Sequence, residues 1–563
     1  VKCEIHSIEN LPQWSVSEPN PEGRFSPADK LQVGDESQFV PSRQMNTDSA
    51  AESAVLHNQT KNAPFRRLDF ERRFGLHEAQ RDLKGKTIRS GAITVIGQIS
   101  RFFLYSCSGI VLARLLTPQD YGLVGMVTAV TGLLRLFKDG GLSTATIQRS
   151  SISHELVSTV FWTGIGLASA MTLLACVLAP GLVIFYREPR LYWITFAMAM
   201  TFILDAMGAQ HFALMRRQMR FKATAVIDLV SMSTACAAGI ISALKGLGYW
   251  SLIILQITLP VVSLLCVWIA EPWRPEWPRL HSGARSMLRF GGYFTGVNVL
   301  NYVFRNIDNV LVGWRWGAGP LGFYQKAYSL LLLPIDQVNA PITAVAVSSL
   351  SRLHSDPARY RRFFIRGYTV ASSITIPIVA AAAVSAVDVV PLLLGKQWIP
   401  CVRIFQLLAP AALVGALLGP LHWLFVSSGR TDRQLGLGVP WTILTILGFL
   451  VGLPYGPQGV AVCYSGLSLL LAAPIFLYAL KGTPISLVDV LGALRYPALS
   501  VGVACAAGLL LRTELLSSAP IAVRAIADCG TVLVLYAFIL LVVLRQWNSY
   551  RDLFSHLLPS RRN

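Results

Sequence analysis

From about residue 85 onward, apolar residues run in stretches of about twenty or more, the length that carries an α-helix across a bilayer, broken by short polar turns. The runs fall at 89–113, 120–138, 155–180, 190–214, 222–244 and 247–270. They resume at 287–314, 320–347, 364–391, 401–427, 435–454 and 458–480, and two more follow at 487–511 and 518–544. The pattern predicts an all-α polytopic membrane protein of about fourteen helices, as two sets of six and a terminal pair.

Two of these runs carry a polar stripe. In GYFTGVNVLNYVFRNIDNVLVGWRW, Gly292 to Trp316, the residues Asn298, Asn301, Tyr302, Arg305, Asp308 and Asn309 recur at three and four, hence on one helical face. Two hundred residues earlier Thr94, Gln98, Arg101, Tyr105 and Ser108 repeat the design, with Gln98 over Asn298, Arg101 over Asn301 and Ser108 over Asp308. The register continues: GIVLARLLTPQDYGLVGM (Gly109 to Met126) lies over NVLVGWRWGAGPLGFYQK (Asn309 to Lys326), with Gly122 over Gly322. Further along, an offset of 211 superposes His211 on His422 and Gly248 on Gly459. The chain therefore reads as a duplication, with one lobe at 85–270, a linker at 271–284 and a second lobe at 285–482. Two extra helices at 483–545 and a tail at 546–563 follow. Because each lobe has six helices, both point the same way, and the pseudo-twofold axis lies along the membrane normal.

Composition agrees: mean hydropathy is +0.51, and 14% of residues are charged, against about 25% in soluble domains. The nine cysteines show no CxxC spacing and read as packing residues. The formal charge of +19 is uneven, since residues 1–84 sum to −2 and the rest to +21. Basic residues gather in alternate loops: Arg216, Arg217, Arg220 and Lys222; Arg274, Arg279, Arg285 and Arg289; Arg352, Arg359, Arg361, Arg362 and Arg366. Basic loops mark the cytoplasmic side, which puts both termini there. Residues 1–84 are rich in Ser, Pro, Asn, Gln and charge with no apolar period, and read as a disordered extension. It begins with Val1, offers Met45 as a candidate start, and contains nothing like a signal peptide. In the linker EPWRPEWPRLHSG three prolines deny a helix, while Trp273 and Trp277 suit the headgroup layer.

An ionised side chain facing lipid costs at least about 2.5–3.5 kcal/mol, so Arg305 and Asp308 should face protein or a hydrated cavity, unless they only neutralise each other. Other charges inside the spans are Asp205, His211, Asp228, Lys326, Asp336, Asp388, His422, Arg495 and Asp528. Asp205 and Asp228 are candidates for a coupling ion, or for pairing with the arginines of the 216–220 loop. Lys326 and Asp336 are candidates for gating. Asp336 shares a face of the eighth helix with Gln325, Ser329 and Asn339, and Pro334 and Pro341 should bend that helix; Lys326 could instead snorkel to the outer surface. Asp388 and Arg495 sit near helix ends and read as interfacial, and His211 and His422 should pack alike. No HExxH, GxSxG, GxxxxGK[ST] or paired-carboxylate loop is present, so transport is favoured over catalysis, with no cofactor, metal or nucleic acid implied. The alternatives are a drug or cation antiporter and a membrane enzyme of polysaccharide assembly, such as a polymerase or ligase.

The segments ARLLTPQDYGLVGM and NIDNVLVGWRWGAGPLGFYQKAYSLLLLP resemble the Wzx-type flippases of the multidrug/oligosaccharidyl-lipid/polysaccharide exporter superfamily, in particular the colanic acid exporter branch, over about residues 85–480. A departure is Trp314, where the family commonly has Arg or Lys. Arg315 is next to it but faces about 100° away. The resemblance implies a flippase of undecaprenyl-diphosphate-linked oligosaccharide in the bacterial inner membrane, working beside a polysaccharide polymerase and export machinery. On that basis Arg101 and Arg305 would bind the diphosphate or acidic sugars, and Gln98, Tyr105, Asn298 and Asn301 would bond sugar hydroxyls, with Asn309 on the same face. Asp308 would orient Arg305. The polyprenyl tail would stay in membrane lipid.

Overall fold

The computed structural model describes residues 83–139, 142–148, 152–278, 299, 302–514 and 519–547, with side chains from residue 96 onward except at 138, 139, 145, 148 and 431. The extension read at 1–84 lies almost wholly outside them, as do Asn298, Asn301, most of the second half of the linker and the tail beyond residue 547.

A backbone in hydrocarbon must satisfy its own hydrogen bonds, and the apolar runs do so as helices. These are α1 (Leu83–Leu115), α2 (Pro118–Asp139), α3 (His154–Tyr186), α4 (Leu191–Arg217), α5 (Phe221–Leu244) and α6 (Trp250–Ala270), then α7 (302–316), α8 (Ala318–Arg352), α9 (Pro357–Leu394), α10 (Ile399–Leu418), α11 (Thr431–Gly452) and α12 (Gly456–Leu480). The last two are α13 (Leu487–Glu514) and α14 (Ile521–Phe538). Among the described residues twelve stretches are long and apolar enough to cross a membrane, and the longest, Asp432–Leu480, holds both α11 and α12. With α7, fourteen long helices result among the described residues, beside two of seven residues at Leu142–Gln148 and Leu421–Ser427, as the hydrophobic pattern predicts. No strand occurs among the described residues.

The duplication is visible in the packing. The neighbour pairs α2–α3, α2–α4, α3–α4, α4–α6 and α5–α6 recur as α8–α9, α8–α10, α9–α10, α10–α12 and α11–α12. The α1–α5 pair recurs as α7–α11, where Phe304 meets Trp441. At the centre α2 crosses α8, and the crossing is two-fold to the residue. A Cβ on Gly122 would meet the backbone of Ala318, and one on Gly322 the backbone of Pro118. Adding 200 to Pro118 and Gly122 gives Ala318 and Gly322, so only glycine at both positions lets the two lobes approach this closely.

Two ends can be distinguished. At the basic end lie the turns 218–220, 353–356, 428–430 and 481–486; at the short-turn end lie 116–117, 187–190, 245–249, 317, 395–398 and 453–455. Gly317 joins α7 to α8 alone, which needs its φ of 81°. One apolar core at the short-turn end runs through both lobes, from Leu112, Leu123 and Val127 to Leu321, Trp398 and Phe405. At the basic end the apolar clusters stay within one lobe, around Val160 and Leu214 in the first and around Phe364 and Trp423 in the second. The described lobes are thus fused by one apolar core at the short-turn end, while toward the basic end their apolar clusters are separate.

The fused end is held by reciprocal capping. The last carbonyls of a helix have no partner within it. At the end of α1, Trp398 Nε1 donates to Ala113 O at 2.8 Å, and Gln397 Nε2 donates to Ala113 O at 2.7 Å and Leu116 O at 2.9 Å. At the end of α9, Arg114 Nε donates to Leu393 O at 3.0 Å, and its Nη2 to Leu392 O. Each lobe therefore completes a helix terminus of the other.

The terminal pair is fixed to α9 by charge, which corrects the interfacial reading of Asp388. Its carboxylate is fully buried, 3.1 Å from Arg512 Nη2 on α13 and 2.8 Å from Arg524 Nη2 on α14, with the buried Asp528 4.0 Å from Arg512 Nε. Charges removed from water persist when paired, and two helices supply the partners. The matched histidines also differ from expectation. His211 is buried, stacked 4.8 Å from Trp268, with Nε2 3.1 Å from Trp273 O, whereas His422 is exposed beside Gln434. The linker Glu271–Trp277 wraps the first lobe only, so the second His has no counterpart to Trp273.

Candidate functional site

α1 packs along α5 and touches α9, and two of its faces remain open. Ile96, Ile99 and Phe103 are 64, 62 and 67% exposed. Gln98, Arg101 and Tyr105 are exposed as well, and at about 100° per residue they point roughly opposite to the apolar set. Tyr105 is 55% exposed, on the same side of α1 as Arg101. Such a helix suits lipid on one side and water on the other.

Counting about 1.5 Å per residue from the short-turn end, Arg101 lies roughly 21 Å and Arg305 roughly 17 Å deep, near the middle of a hydrocarbon core about 30 Å thick. Arg101 Nη1 donates to Asp228 Oδ2 on α5 at 3.3 Å, and both side chains stay partly open. Arg305 is exposed and has no hydrogen bond or ion pair among the described residues.

Asp308 does not orient Arg305, contrary to the sequence expectation. It is 3% exposed, its Oδ2 accepts from Tyr324 OH at 3.0 Å, and its Oδ1 accepts from the Asn309 N–H at 2.8 Å. The Tyr324 hydroxyl on α8 turns the carboxylate into the lobe, while Arg305, three residues earlier, stays open. Asn309 is buried, and its Oδ1 has no hydrogen-bond partner among the described residues.

Asp205 and Asp228 pair with helix arginines rather than with the 216–220 loop. Arg135 on α2, which the sequence reading did not single out, lies 3.5 Å from Asp205 Oδ2 and donates to Thr201 Oγ1 at 3.2 Å. The loop residue Arg220 instead donates to Glu271 at 2.9 Å. On the same face of α2 as Arg135, Tyr302 OH of α7 donates to Thr128 O at 2.8 Å and sits over Gly132. Arg135 thus lies toward the second lobe, and its signal was a lone cation in the apolar stretch GLLRLF. Lys326 does not snorkel outward: its Nζ lies 4.3 Å from the Tyr121 ring centroid, across the seam. Asp336 is exposed without a partner among the described residues.

Comparisons with known proteins agree with this architecture. The chain is similar to the lipopolysaccharide biosynthesis protein WzxC of Escherichia coli (strain K12), 25% identical over 379 residues, which is 66% of this chain and 76% of that protein. It is also similar to the succinoglycan biosynthesis transport protein ExoT of Rhizobium meliloti (strain 1021), 23% identical over 328 residues, 58% of this chain and 66% of the relative. Among solved structures, the lipid II flippase MurJ in an inward closed conformation shares the fold with a TM-score of 0.62 at 13% identity, over 83% of this chain and all of that one. The model of the polysaccharide biosynthesis protein family matches residues 111–403, from the end of α1 into α10, and the chain belongs to that family.

Proposed function

We propose that the protein is a flippase that moves an undecaprenyl-diphosphate-linked oligosaccharide across a bacterial inner membrane, with its basic end and both termini in the cytoplasm. The two-faced α1 carries this reading. A cargo with a charged, sugar-bearing head and a hydrocarbon tail needs a helix that is apolar toward lipid, as at Ile96, Ile99 and Phe103, and polar toward water, as at Gln98, Arg101 and Tyr105. Arg101 and Arg305, at similar depth on repeat-related helices, take the diphosphate. Gln98, Tyr105, Asn298 and Asn301 bond the sugars, and Asn309, being buried, packs α7 instead. Asp228 offsets the charge of Arg101 so that the head can leave, and Asp308 fixes α7 to α8 through Tyr324. Both Asp205 and Asp228 are engaged by arginines, which favours an anionic cargo over a drug or cation antiporter. The relatives named for lipopolysaccharide synthesis and succinoglycan transport, and the fold shared with a lipid II flippase, support the same class. The lobes rock about the site, opening at one end and then the other, and polymerase and export machinery act on the delivered cargo.

The test replaces Arg101 and Arg305 by Gln in cells whose exopolysaccharide depends on this protein. A hydrogen bond to a charged group contributes about 1.5–3 kcal/mol, so each change should cut output by roughly ten- to a hundredfold and leave lipid-linked repeat units on the cytoplasmic face. Undiminished output from the double variant would reject the assignment.

A further inference from the structure

Two cations at the fused end have no acid partner among the described residues. Lys326 on α8 reaches across to α2, its Nζ 4.3 Å from the Tyr121 ring centroid and 6.0 Å from that of Trp398. Tyr121 meets Trp398 edge to face at 5.4 Å, and Phe323 closes on the other side at 6.0 Å. Arg114 at the end of α1 spends its guanidinium on the Leu392 and Leu393 carbonyls of α9. The Tyr121 ring and those two carbonyls all belong to the opposite lobe. Lys326 is half-buried, and an aromatic face replaces only part of the hydration its charge gives up, while Arg114 stays exposed at the rim and is held there by carbonyl dipoles. Parting the lobes at this end strips both cations of these partners in one movement, on two sides of the same opening.

We propose that Lys326 and Arg114 form a second anion site at the short-turn end, each engaged by the opposite lobe while that end is closed, which takes the diphosphate of the cargo when it opens. The site rests on the transport reading above, because it is reached only if the two ends open in turn. Its chemistry fits a diphosphate: the planar guanidinium can take two oxygens side by side, and the ammonium supplies a point charge for the neighbouring phosphate. Release is built in. As the lobes rejoin, Tyr121 recovers Lys326 and the α9 carbonyls recover Arg114, so closure competes directly with the bound anion and drives it outward.

The probe is inorganic pyrophosphate, applied to the full-length protein in lipid nanodiscs with its own cysteines replaced. Leu116→Cys, at a buried seam position, reports opening through its rate of maleimide labelling. Pyrophosphate should raise that rate on the order of tenfold, a usual size for coupling between a ligand and a conformational equilibrium. The rise should persist in Lys326→Arg and vanish in Lys326→Met and in Arg114→Gln. If Lys326 only packs the aromatic seam, Lys326→Met will raise the labelling rate without pyrophosphate and leave the pyrophosphate effect intact, which overturns the site. No pyrophosphate effect in the parent protein overturns it too. Retention of the effect in Lys326→Arg shows that position 326 tolerates substitution, and an unchanged size-exclusion profile checks the fold of Lys326→Met and Arg114→Gln. A Lys326-dependent effect in a protein that moves no lipid-linked sugar would instead sink the transport reading alone.

Discussion

Gly122→Ala is the most direct trial of the two-lobe architecture. The added Cβ would lie 2.5 Å from the carbonyl carbon of Ala318 and 2.9 Å from its Cα, against about 3.5 Å or more for ordinary carbon contacts. The Ala318 carbonyl oxygen lies nearer still, and all three atoms are backbone, so no side chain can yield and α2 must withdraw from α8 by more than about 1 Å. The capping bonds at this end are 2.7–3.0 Å long and cannot stretch that far, so the strain falls on closure itself. Overpacking of this kind costs about 1–3 kcal/mol, and the better helix propensity of Ala returns up to about 1 kcal/mol. A net loss of about 1–2 kcal/mol shifts the ratio of closed to open end by roughly 5- to 30-fold. Maleimide labelling of Leu116→Cys should accelerate by that factor. Gly109→Ala, where nothing lies within 4 Å of the new Cβ, serves as the control and should leave the rate unchanged. Equal rates for the two variants would refute the crossing as described. Gly322→Ala, whose Cβ lies 2.7 Å from the Pro118 carbonyl carbon, should match Gly122→Ala. The double variant should be less than additive, since each change relieves the overlap of the other.

Asp388→Asn leaves Arg512 and Arg524 facing one another with half their counter-charge, and breaking a buried ionic cluster from one side costs about 3–5 kcal/mol; a thermal midpoint equal to that of the unaltered protein would show that α13 and α14 are not held this way. Tyr324→Phe removes the hydroxyl donor to the buried Asp308 carboxylate, a loss of about 1–3 kcal/mol, read as a lower melting temperature with α7 most exposed to hydrogen exchange. Asp228→Asn frees Arg101 from its partner at 3.3 Å and should tighten pyrophosphate binding several-fold by titration calorimetry, whereas unchanged affinity would place Arg101 outside the anion path.

Much of this protein is legible one residue at a time. A run of twenty apolar residues has no option in hydrocarbon but a helix, so fourteen helices follow from the chain alone. The offset of 200 residues survives in space because both copies must bring the same backbone positions together, at Gly122 on Ala318 and Gly322 on Pro118. The polar row Gln98, Arg101 and Tyr105 opens on one side of α1 for a similar reason, as helical spacing already orders side chains around an axis.

Partnership is a different matter. Asp308 and Arg305 are three apart on α7, which made them natural partners on paper, yet a tyrosine on the next helix claims the carboxylate. Arg101 finds Asp228, 127 residues away, and Asp388 draws one arginine from each of two helices that have no counterpart in the repeat. Spacing along a helix fixes a direction around that helix. Which neighbour stands in that direction, and whether two lobes meet at one end or the other, depends on how helices distant in the chain are packed, and only the folded arrangement decides it.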